Sequence, residues 1–251
     1  ISNTGVLTIV GWAKFITDGT DNNQNIILGE SNAFGSHVTM QAGDGTAAFN
    51  DITFVDTLGV DLVSSAPSTA GKLFIDAAIN LAVGNDLSIT ATTGDITQGS
   101  ALAVGGASSF TTSADNATIT LNNANAFTGA VALNTTGSSG NATVVDASGL
   151  NLGASTVGGN LSATATTGGI YDSGNLAVTG TATFITGASG SSIYLDASGN
   201  AFSNAVTLQA DDGSEAFGHI RFVDSGAVKL HSSAGANGDL YINAATDAAV
   251  G

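Results

Sequence analysis

The sequence of 251 residues contains no cysteine, one proline and four basic residues: Lys14, Lys72, Arg221 and Lys229. The lack of cysteine excludes disulfides, Cys-ligated zinc and thiol catalysis. Twenty acidic residues give a formal net charge of −16. The chain therefore lacks the basic footprint with which proteins displace counterions from phosphates, and we expect no nucleic-acid partner. The same charge disfavours binding to anionic membranes.

Long apolar runs and helical patterns are also missing. No run approaches the ~18 residues that a membrane helix needs, so we expect no membrane insertion in these residues. Apolar residues do not recur at i, i+3, i+4 and i+7, and Asp outnumbers Glu 18 to 2, which favours turns over helices. Ile1 begins no signal peptide. Because the chain starts and stops within a pattern, we expect it to be a window of a longer array.

Internal repeats are the main signal in the sequence. Residues 32–56 and 200–224 align without gaps, with 15 identities in 25 positions. A shorter copy lies between them, because "NDLSITATTGDI" at Asn85 returns as "GNLSATATTGGI" at Gly159. We predict one domain over residues 1–251, built of three units at about 1–95, 96–169 and 170–251. The middle unit lacks a counterpart of "KLFIDAAINLAVG", a difference the size of one structural rung.

Within a unit, apolar residues sit two positions apart, as in Val206 and Leu208. This period is typical of strands with one buried face, and Gly, Asn, Asp and Ser separate the strands as turns require. A sandwich or barrel seldom tolerates the loss of ~20 residues in register, whereas a solenoid restacks. We therefore predict an all-β parallel β-helix of roughly 12 coils, with about 20 residues per coil. Val206 and Leu208 should face inward.

Three aspartates, Asp56, Asp146 and Asp224, follow the same strand in each unit. We favour turns in which the carboxylate accepts backbone N–H bonds; calcium binding and catalysis are the alternatives. A second acidic group, Asp211, Asp212 and Glu215, shares one loop whose repeat partner keeps only Asp44. It matches no calcium motif, and a solvated loop is preferred to a calcium site. We assign no catalytic, cofactor-binding or metal-binding residue and no cofactor, with calcium as the one ion left open.

Other polar and aromatic residues give weaker signals. The histidines lack ligand spacing and belong to no repeated device; they are His37, His219 and His231. The three "NAF" phenylalanines predict a stacked interior ladder in preference to a sugar-stacking stripe; they are Phe34, Phe127 and Phe202. Thr-x-Thr strings resemble the flat arrays of ice-binding solenoids, but recur only at long intervals; they are Thr90 with Thr92, Thr118 with Thr120 and Thr164 with Thr166.

The segments "GNLSATATTGGIYDSGNLAVTGTATF" and "NDLSITATTGDITQGSALAVGGASSF" resemble the repeat regions of filamentous-haemagglutinin-like proteins of Gram-negative bacteria and of related giant repetitive surface proteins. Those are secreted β-helical adhesins, often exported by the two-partner route. The resemblance implies a right-handed parallel β-helix, a location outside the cell or at the bacterial cell surface, associated with the outer membrane, and a stalk or adhesive role.

We therefore expect a structural or adhesive repeat segment without enzyme activity. Its expected partners are neighbouring repeats of the same chain and a glycan or protein on a host or partner cell. A polysaccharide-active β-helix is one alternative, for which Asp211, Asp212 and Glu215 near Arg221 form the group to test. A calcium-binding or ice-binding solenoid is the other.

Overall fold

The computed structural model describes residues 1–17, 24–42, 49–63, 72–76, 82–210, 217–226, 229–231 and 239–243. These residues form an all-β solenoid of about eight turns, in which the strands pair in parallel, as the alternating sequence predicts. They include no helix long and apolar enough to cross a bilayer. The right hand of the helix stays a prediction.

The strands are short and numerous. In the first part of the chain they are β1 (Thr8–Ile9), β2 (Ala13–Thr17), β3 (Gln24–Phe34), β4 (Val38–Ala42), β5 (Phe49–Asp56), β6 (Val60–Val63), β7 (Lys72–Asp76), β8 (Ala82–Val83) and β9 (Leu87–Ala91). The middle part contains β10 (Ile96–Gln98), β11 (Ala103–Val104), β12 (Ser108–Asp115), β13 (Ile119–Phe127), β14 (Val131–Thr136), β15 (Ala142–Asp146), β16 (Leu150–Leu152), β17 (Ser155–Val157) and β18 (Leu161–Ala165). The last part contains β19 (Ile170–Asp172), β20 (Leu176–Val178), β21 (Ala182–Thr186), β22 (Ile193–Leu195), β23 (Ala201–Phe202), β24 (Val206–Ala210), β25 (Ile220–Phe222), β26 (Lys229–His231) and β27 (Asp239–Asn243).

Two long ladders of stacked strands run through the solenoid. Ladder 1 stacks, in order, β2, β4, β7, β6, β10, β13, β15, β18, β21, β24, β27 and β26. Ladder 2 stacks β3, β5, β9, β12, β14, β16, β19, β22 and β25. Shorter pairings among β8, β11 and the end of β13, and among β17, β20 and β23, close the coils between them.

Corresponding strands of successive units lie on opposite ladders. The strand that contains the "NAF" sequence and the strand that ends in Asp pair in every unit, but β3 and β5 belong to ladder 2, whereas β13 and β15 belong to ladder 1. In the third unit the equivalent strands β22 and β25 return to ladder 2. One unit therefore carries the chain through a whole number of turns plus one half, which moves its strands to the other ladder. Two units together advance the chain by seven strands along ladder 2, from β3 to β22.

The extra segment of the first unit adds a strand to one ladder only. β7 lies between β4 and β6 and pairs with both, while ladder 2 runs from β5 directly to β9. The third unit repeats the arrangement, because β27 lies between β24 and β26. Bonds between adjacent coils consequently span from 19 residues at Asp146 to 36 residues at Asp56. These longer coils account for part of the difference between the about eight turns that form and the roughly 12 predicted.

The core is the continuous inner surface of the stacked strands. Alternate residues of strands such as β9, β15 and β21 point inward, and Val206 and Leu208 are buried as predicted. Burial of one such aliphatic side chain contributes about 1.5–3 kcal/mol. Since inward residues of neighbouring coils pack in one cluster from Ala13 to Phe217, each coil is stabilised chiefly by the coils on either side of it.

Candidate functional site

The three repeated aspartates cap corners of the solenoid. The Asp146 carboxylate accepts the backbone N–H of Phe127, on the adjacent coil, at 2.7 Å and the N–H of Ser148, in its own turn, at 2.8 Å. The same two bonds recur at Asp56 with Phe34 and Leu58, and at Asp224 with Phe202 and Gly226. The expectation of a carboxylate that accepts backbone N–H bonds is therefore confirmed for all three.

A buried asparagine completes each corner, and its importance was not predicted from the sequence. Asn125 is 0 % exposed; its Oδ1 accepts the N–H of Leu102 at 2.8 Å, and its Nδ2 donates to the carbonyls of Leu121 and Val145 at 3.2 and 2.9 Å. Its own carbonyl accepts the N–H of Ala147 at 2.7 Å. Asn32 makes the same four types of bond, and Asn200 shares the first and the last.

We call the Asn, the Phe two residues after it and the Asp on the next coil the corner device. Its members are Asn32, Phe34 and Asp56, then Asn125, Phe127 and Asp146, and then Asn200, Phe202 and Asp224. The device satisfies backbone groups that a turn leaves unpaired, which would otherwise cost about 1–3 kcal/mol each if buried. Its chemistry is structural, because the polar atoms are directed at the neighbouring coils.

Burial raises the pKa of Asp56 above its ordinary value of 3.8. The N–H bonds from Phe34, Leu58 and Thr57 act in the opposite direction, because they stabilise the ionised carboxylate. Desolvation is the larger effect. A raised pKa in a cleft can mark a catalytic carboxyl, but Asp56 is 2 % exposed and its contacts are those of the corner device.

The "NAF" phenylalanines point into the core, as predicted. Each meets another ring edge-on at nearly the same distance, in the pairs Phe15–Phe34 (6.1 Å), Phe110–Phe127 (6.1 Å) and Phe184–Phe202 (6.0 Å). Phe34 and Phe202 also stack on Phe54 and Phe222. These interior contacts leave the three rings unavailable as a sugar-stacking stripe.

The repeated Thr-Thr-Gly sequence forms a second kind of corner contact. Thr166 and Thr167 donate their hydroxyls to the carbonyls of Asp146 and Ala147, each at 2.9 Å. Thr92 and Thr93 make the equivalent bonds to Asp56 and Thr57. The glycine that follows lies against a glycine of the adjacent coil, in the pairs Gly94–Gly59 and Gly168–Gly149.

The remaining predicted candidates form no common site. His37 stacks on Trp12, with ring centroids 6.0 Å apart, and the backbone N–H of His219 donates to Ser192. The loop with Asp211, Asp212 and Glu215, its partner Asp44 and the side chain of His231 lie outside the described residues. Within the described ranges, no group of three or more His, Cys, Asp or Glu could hold a metal ion.

One groove of about 470 Å³ lies on ladder 2. Along its floor runs a column of outward residues in register on successive strands: Ile27, Thr53, Ser88, Ser109 and Ala132. Asp51 and Asp86 also line it, but their carboxylates already bond to the next coil, at Asp86 N and Ala107 N. The lining of the groove has small side chains and a few hydroxyls, and it includes no basic residue. The groove therefore offers few groups that could bind a ligand.

Ladder 1 presents a single file of hydroxyls on adjacent coils. Its members are in register and are Thr97, Thr120, Thr143, Ser162, Thr183 and Thr207. Only Thr120 belongs to the Thr-x-Thr strings noted in the sequence. The next outward column contains Val145, Thr164, Ile185 and Gln209, so the hydroxyls do not form a two-column array there.

A family model described as "Repeats of unknown function (DUF5649)" matches residues 69–134 and 139–209. The two matches cover more than half of the chain. The chain belongs to the DUF5649 repeat family. Comparison with curated proteins gave no match, and comparison with solved structures gave none either.

Each match to the DUF5649 repeat contains the same structural parts. The first includes Thr92–Gly94 and Asn125–Phe127, and the second includes Thr166–Gly168 and Asn200–Phe202. The DUF5649 repeat thus contains one Thr-Thr-Gly corner and the Asn and Phe of one corner device. What the family match supports is a repeat-containing β-solenoid; the narrower resemblance to filamentous-haemagglutinin-like adhesins stays a prediction.

Proposed function

We propose that this chain is a structural and adhesive segment of a large bacterial protein that is secreted or displayed at the cell surface. It would act as a rigid stalk or a cell-contact surface. The observation that supports this most is the corner device, which recurs three times with the same bonds. A device that joins adjacent coils, and is repeated with the sequence, serves to extend the solenoid.

The alternation of corresponding strands between ladder 1 and ladder 2 supports the same function. Because two units restore every strand to its original ladder, units can be added without disturbing the stacking. Seven steps at the usual spacing of about 4.8 Å correspond to about 34 Å of added length. The sequence repeat then encodes length and stiffness, and outward side chains are free to differ from unit to unit.

A tandem series tests the stalk. Proteins that contain one, two and three copies of residues 32–199 should show, by small-angle X-ray scattering, a maximum dimension that rises by about 34 Å per copy at constant cross-sectional radius. The same series with the copies joined by a flexible Gly/Ser linker is the control. If the cross-section grows with copy number, or the two series scatter alike, the stalk proposal is wrong.

The proposal includes no enzyme activity, no cofactor and no nucleic-acid partner. Its expected partners are neighbouring repeats and a surface glycan or protein of a contacted cell. Adhesion is tested by coating beads with the chain and counting those retained on a panel of host and bacterial cells, with beads coated with an unrelated acidic protein for comparison. A melting curve with and without calcium tests the alternative of a calcium-stabilised solenoid. Ice-crystal shaping tests the alternative of an ice-binding solenoid.

A further inference from the structure

One set of outward repeat positions differs sharply between the units. In the third unit, three successive strands place Tyr171, Tyr194 and Arg221 next to one another in register. The equivalent positions are occupied by Thr97, Thr120 and Thr143 in the second unit, and by Ser2, Ile27 and Thr53 in the first. Two aromatic rings and one of only four basic residues thus replace smaller, uncharged side chains at one place on the surface.

The three side chains lie on adjacent strands of the outer surface, and Tyr194 is partly buried. The rings of Tyr171 and Tyr194 have centroids 5.6 Å apart and are inclined by 60°, and Tyr171 is 41 % exposed. Arg221 Nη1 donates to Asp196 Oδ2 at 2.9 Å, and the two side chains are 68 % and 31 % exposed. The patch therefore offers aromatic surface beside a fixed donor and acceptor pair.

Gly169 lies beside the Tyr171 ring. A Cβ at Gly169 would lie 2.5 Å from the carbonyl oxygen of Ser192 and 2.8 Å from the Tyr171 hydroxyl, so both the backbone of the next coil and the ring approach this position closely. In the second unit this position is Asp95, whose carboxylate accepts the N–H of Thr118 at 2.6 Å. The third unit has neither that carboxylate nor the corresponding bond. The tyrosine ring lies at that place instead.

We propose that Tyr171, Tyr194, Arg221 and Asp196 bind a neutral glycan chain. Pyranose rings present C–H faces that pack on aromatic rings, and hydroxyls that need both donors and acceptors. The tyrosines supply rigid amphipathic surface, Arg221 retains N–H donors beyond the one it gives to Asp196, and the carboxylate retains acceptor capacity. We call these four residues the glycan patch.

Charge identifies a neutral ligand. Arg221 and Asp196 neutralise each other, so the patch itself attracts neither sign. The net charge of −16 repels anionic polymers and a second copy of the chain. Tyr and Arg are also common at protein–protein hot spots, but these are typically desolvated pockets near an interface centre, whereas the glycan patch is open on a sheet surface. A protein ligand is accordingly an outcome that the experiment distinguishes.

Affinity electrophoresis provides the test. The chain is run through native gels that contain a neutral glucan, mannan or galactan, or the anionic polygalacturonate, and its mobility is compared with that in a blank gel. We expect retardation in at least one neutral gel and none in polygalacturonate. Tyr171→Thr with Tyr194→Thr, the residues of the second unit, should weaken retardation about ten-fold or more, and Arg221→Thr should weaken it as well.

Two variants separate binding from folding. Tyr171→Phe with Tyr194→Phe keeps both rings and should stay retarded, and Ser88→Ala with Ser109→Ala alters the groove on the same ladder and should change nothing. Absence of retardation in every neutral gel, retardation only by polygalacturonate, or equal retardation of the Thr variant would overturn the inference. It deepens the adhesive part of the proposed function, and the tandem scattering series reports on the stalk whichever way the gels turn out.

Discussion

The Asp146 carboxylate holds the backbone N–H of Phe127 at 2.7 Å, although the two residues lie 19 positions apart in the chain. This bond crosses from one coil to the next, and Asp146 caps its own turn with its other oxygen through Ser148. One side chain therefore fixes both the shape of a corner and the stacking of two coils.

Substitution of this aspartate should destabilise the solenoid. Asp146→Ala leaves the N–H groups of Phe127 and Ser148 without their acceptors, and we expect a loss of about 2–4 kcal/mol in the free energy of unfolding. Asp146→Asn keeps one of the two acceptor oxygens but turns an amide NH2 towards the other N–H, so we expect a smaller loss than in Asp146→Ala. Urea unfolding followed by circular dichroism measures both, and equal losses would show that an acceptor at this position is unimportant.

The buried amide should be equally sensitive. Asn125→Leu keeps the approximate volume but leaves the N–H of Leu102 and the carbonyls of Leu121 and Val145 unpaired, which should cost about 3 kcal/mol or more. Asn122 is exposed on the same strand, so Asn122→Leu is the matched control and should change stability by less than about 0.5 kcal/mol. Similar melting temperatures for the two variants would contradict the role of Asn125.

The raised pKa of Asp56 predicts the direction in which the stability of the fold changes with pH. Because burial raises its pKa in the folded state, the folded state holds the proton more tightly than the unfolded state does. Its contribution to stability is therefore present below pH 3.8 and is lost as the pH rises through the raised folded pKa. Asp56→Asn lacks this loss, so its melting temperature relative to the unsubstituted chain should rise from pH 3.5 to pH 7.

The control for that prediction is Asp115→Asn, which removes one negative charge from an exposed position. It corrects for the general relief of repulsion in a chain of net charge −16. If Asp56→Asn becomes less stable than the Asp115→Asn protein as the pH rises, the sign of the Asp56 effect is opposite to that expected from burial.

Close contact between glycines predicts steric sensitivity at the corners. A Cβ at Gly94 would lie 2.8 Å from the Cα and N of Gly59, backbone atoms that cannot move without separating two coils. Gly94→Ala should therefore destabilise the chain by about 1–3 kcal/mol. At Gly11, where a Cβ meets nothing within 4 Å, the same substitution should have little effect. Hydrogen exchange at the corner amides would localise the change.

Two buried serines should respond in opposite ways. Both Ser108 and Ser155 are 3 % exposed. Ser155 accepts the N–H of Leu133 and donates to the carbonyl of Gly153, whereas the Ser108 hydroxyl has no partner among the described residues. Ser155→Ala should lose about 1–3 kcal/mol, and Ser108→Ala should be neutral or stabilising. Equal destabilisation in thermal melts would contradict the bonding pattern.

Local pattern was enough to predict the class of fold. The alternation at Val206 and Leu208 follows from strand geometry alone, and the turn role of the three aspartates follows from the short reach of that side chain. The predicted number of turns was too high in part because the sequence does not reveal that β7 inserts into one ladder only. That placement depends on pairing with both β4 and β6, which no local preference encodes.

The surface columns could not be predicted for a related reason. Tyr171 and Arg221 are neighbours of Tyr194 only because the register aligns coils of different lengths. Asn125 was missed because Asn between strands looks like any turn residue; its role depends on atoms of Leu102 and Val145, on the coils before and after it. Properties that repeat with the sequence could be predicted from it, whereas contacts that depend on the register between coils could not.

The coils of the described residues stack in register from β3 to β22, and paired spin labels test this stacking most directly. The lack of cysteine allows Tyr194→Cys to be combined in turn with cysteine at Ser109, Ser88, Thr53 or Ile27, all outward on ladder 2. Pulsed EPR distances should increase by about 4.8 Å per step, from about 19 Å over four steps to about 34 Å over seven. A series that does not lengthen in that order would contradict the stacked solenoid.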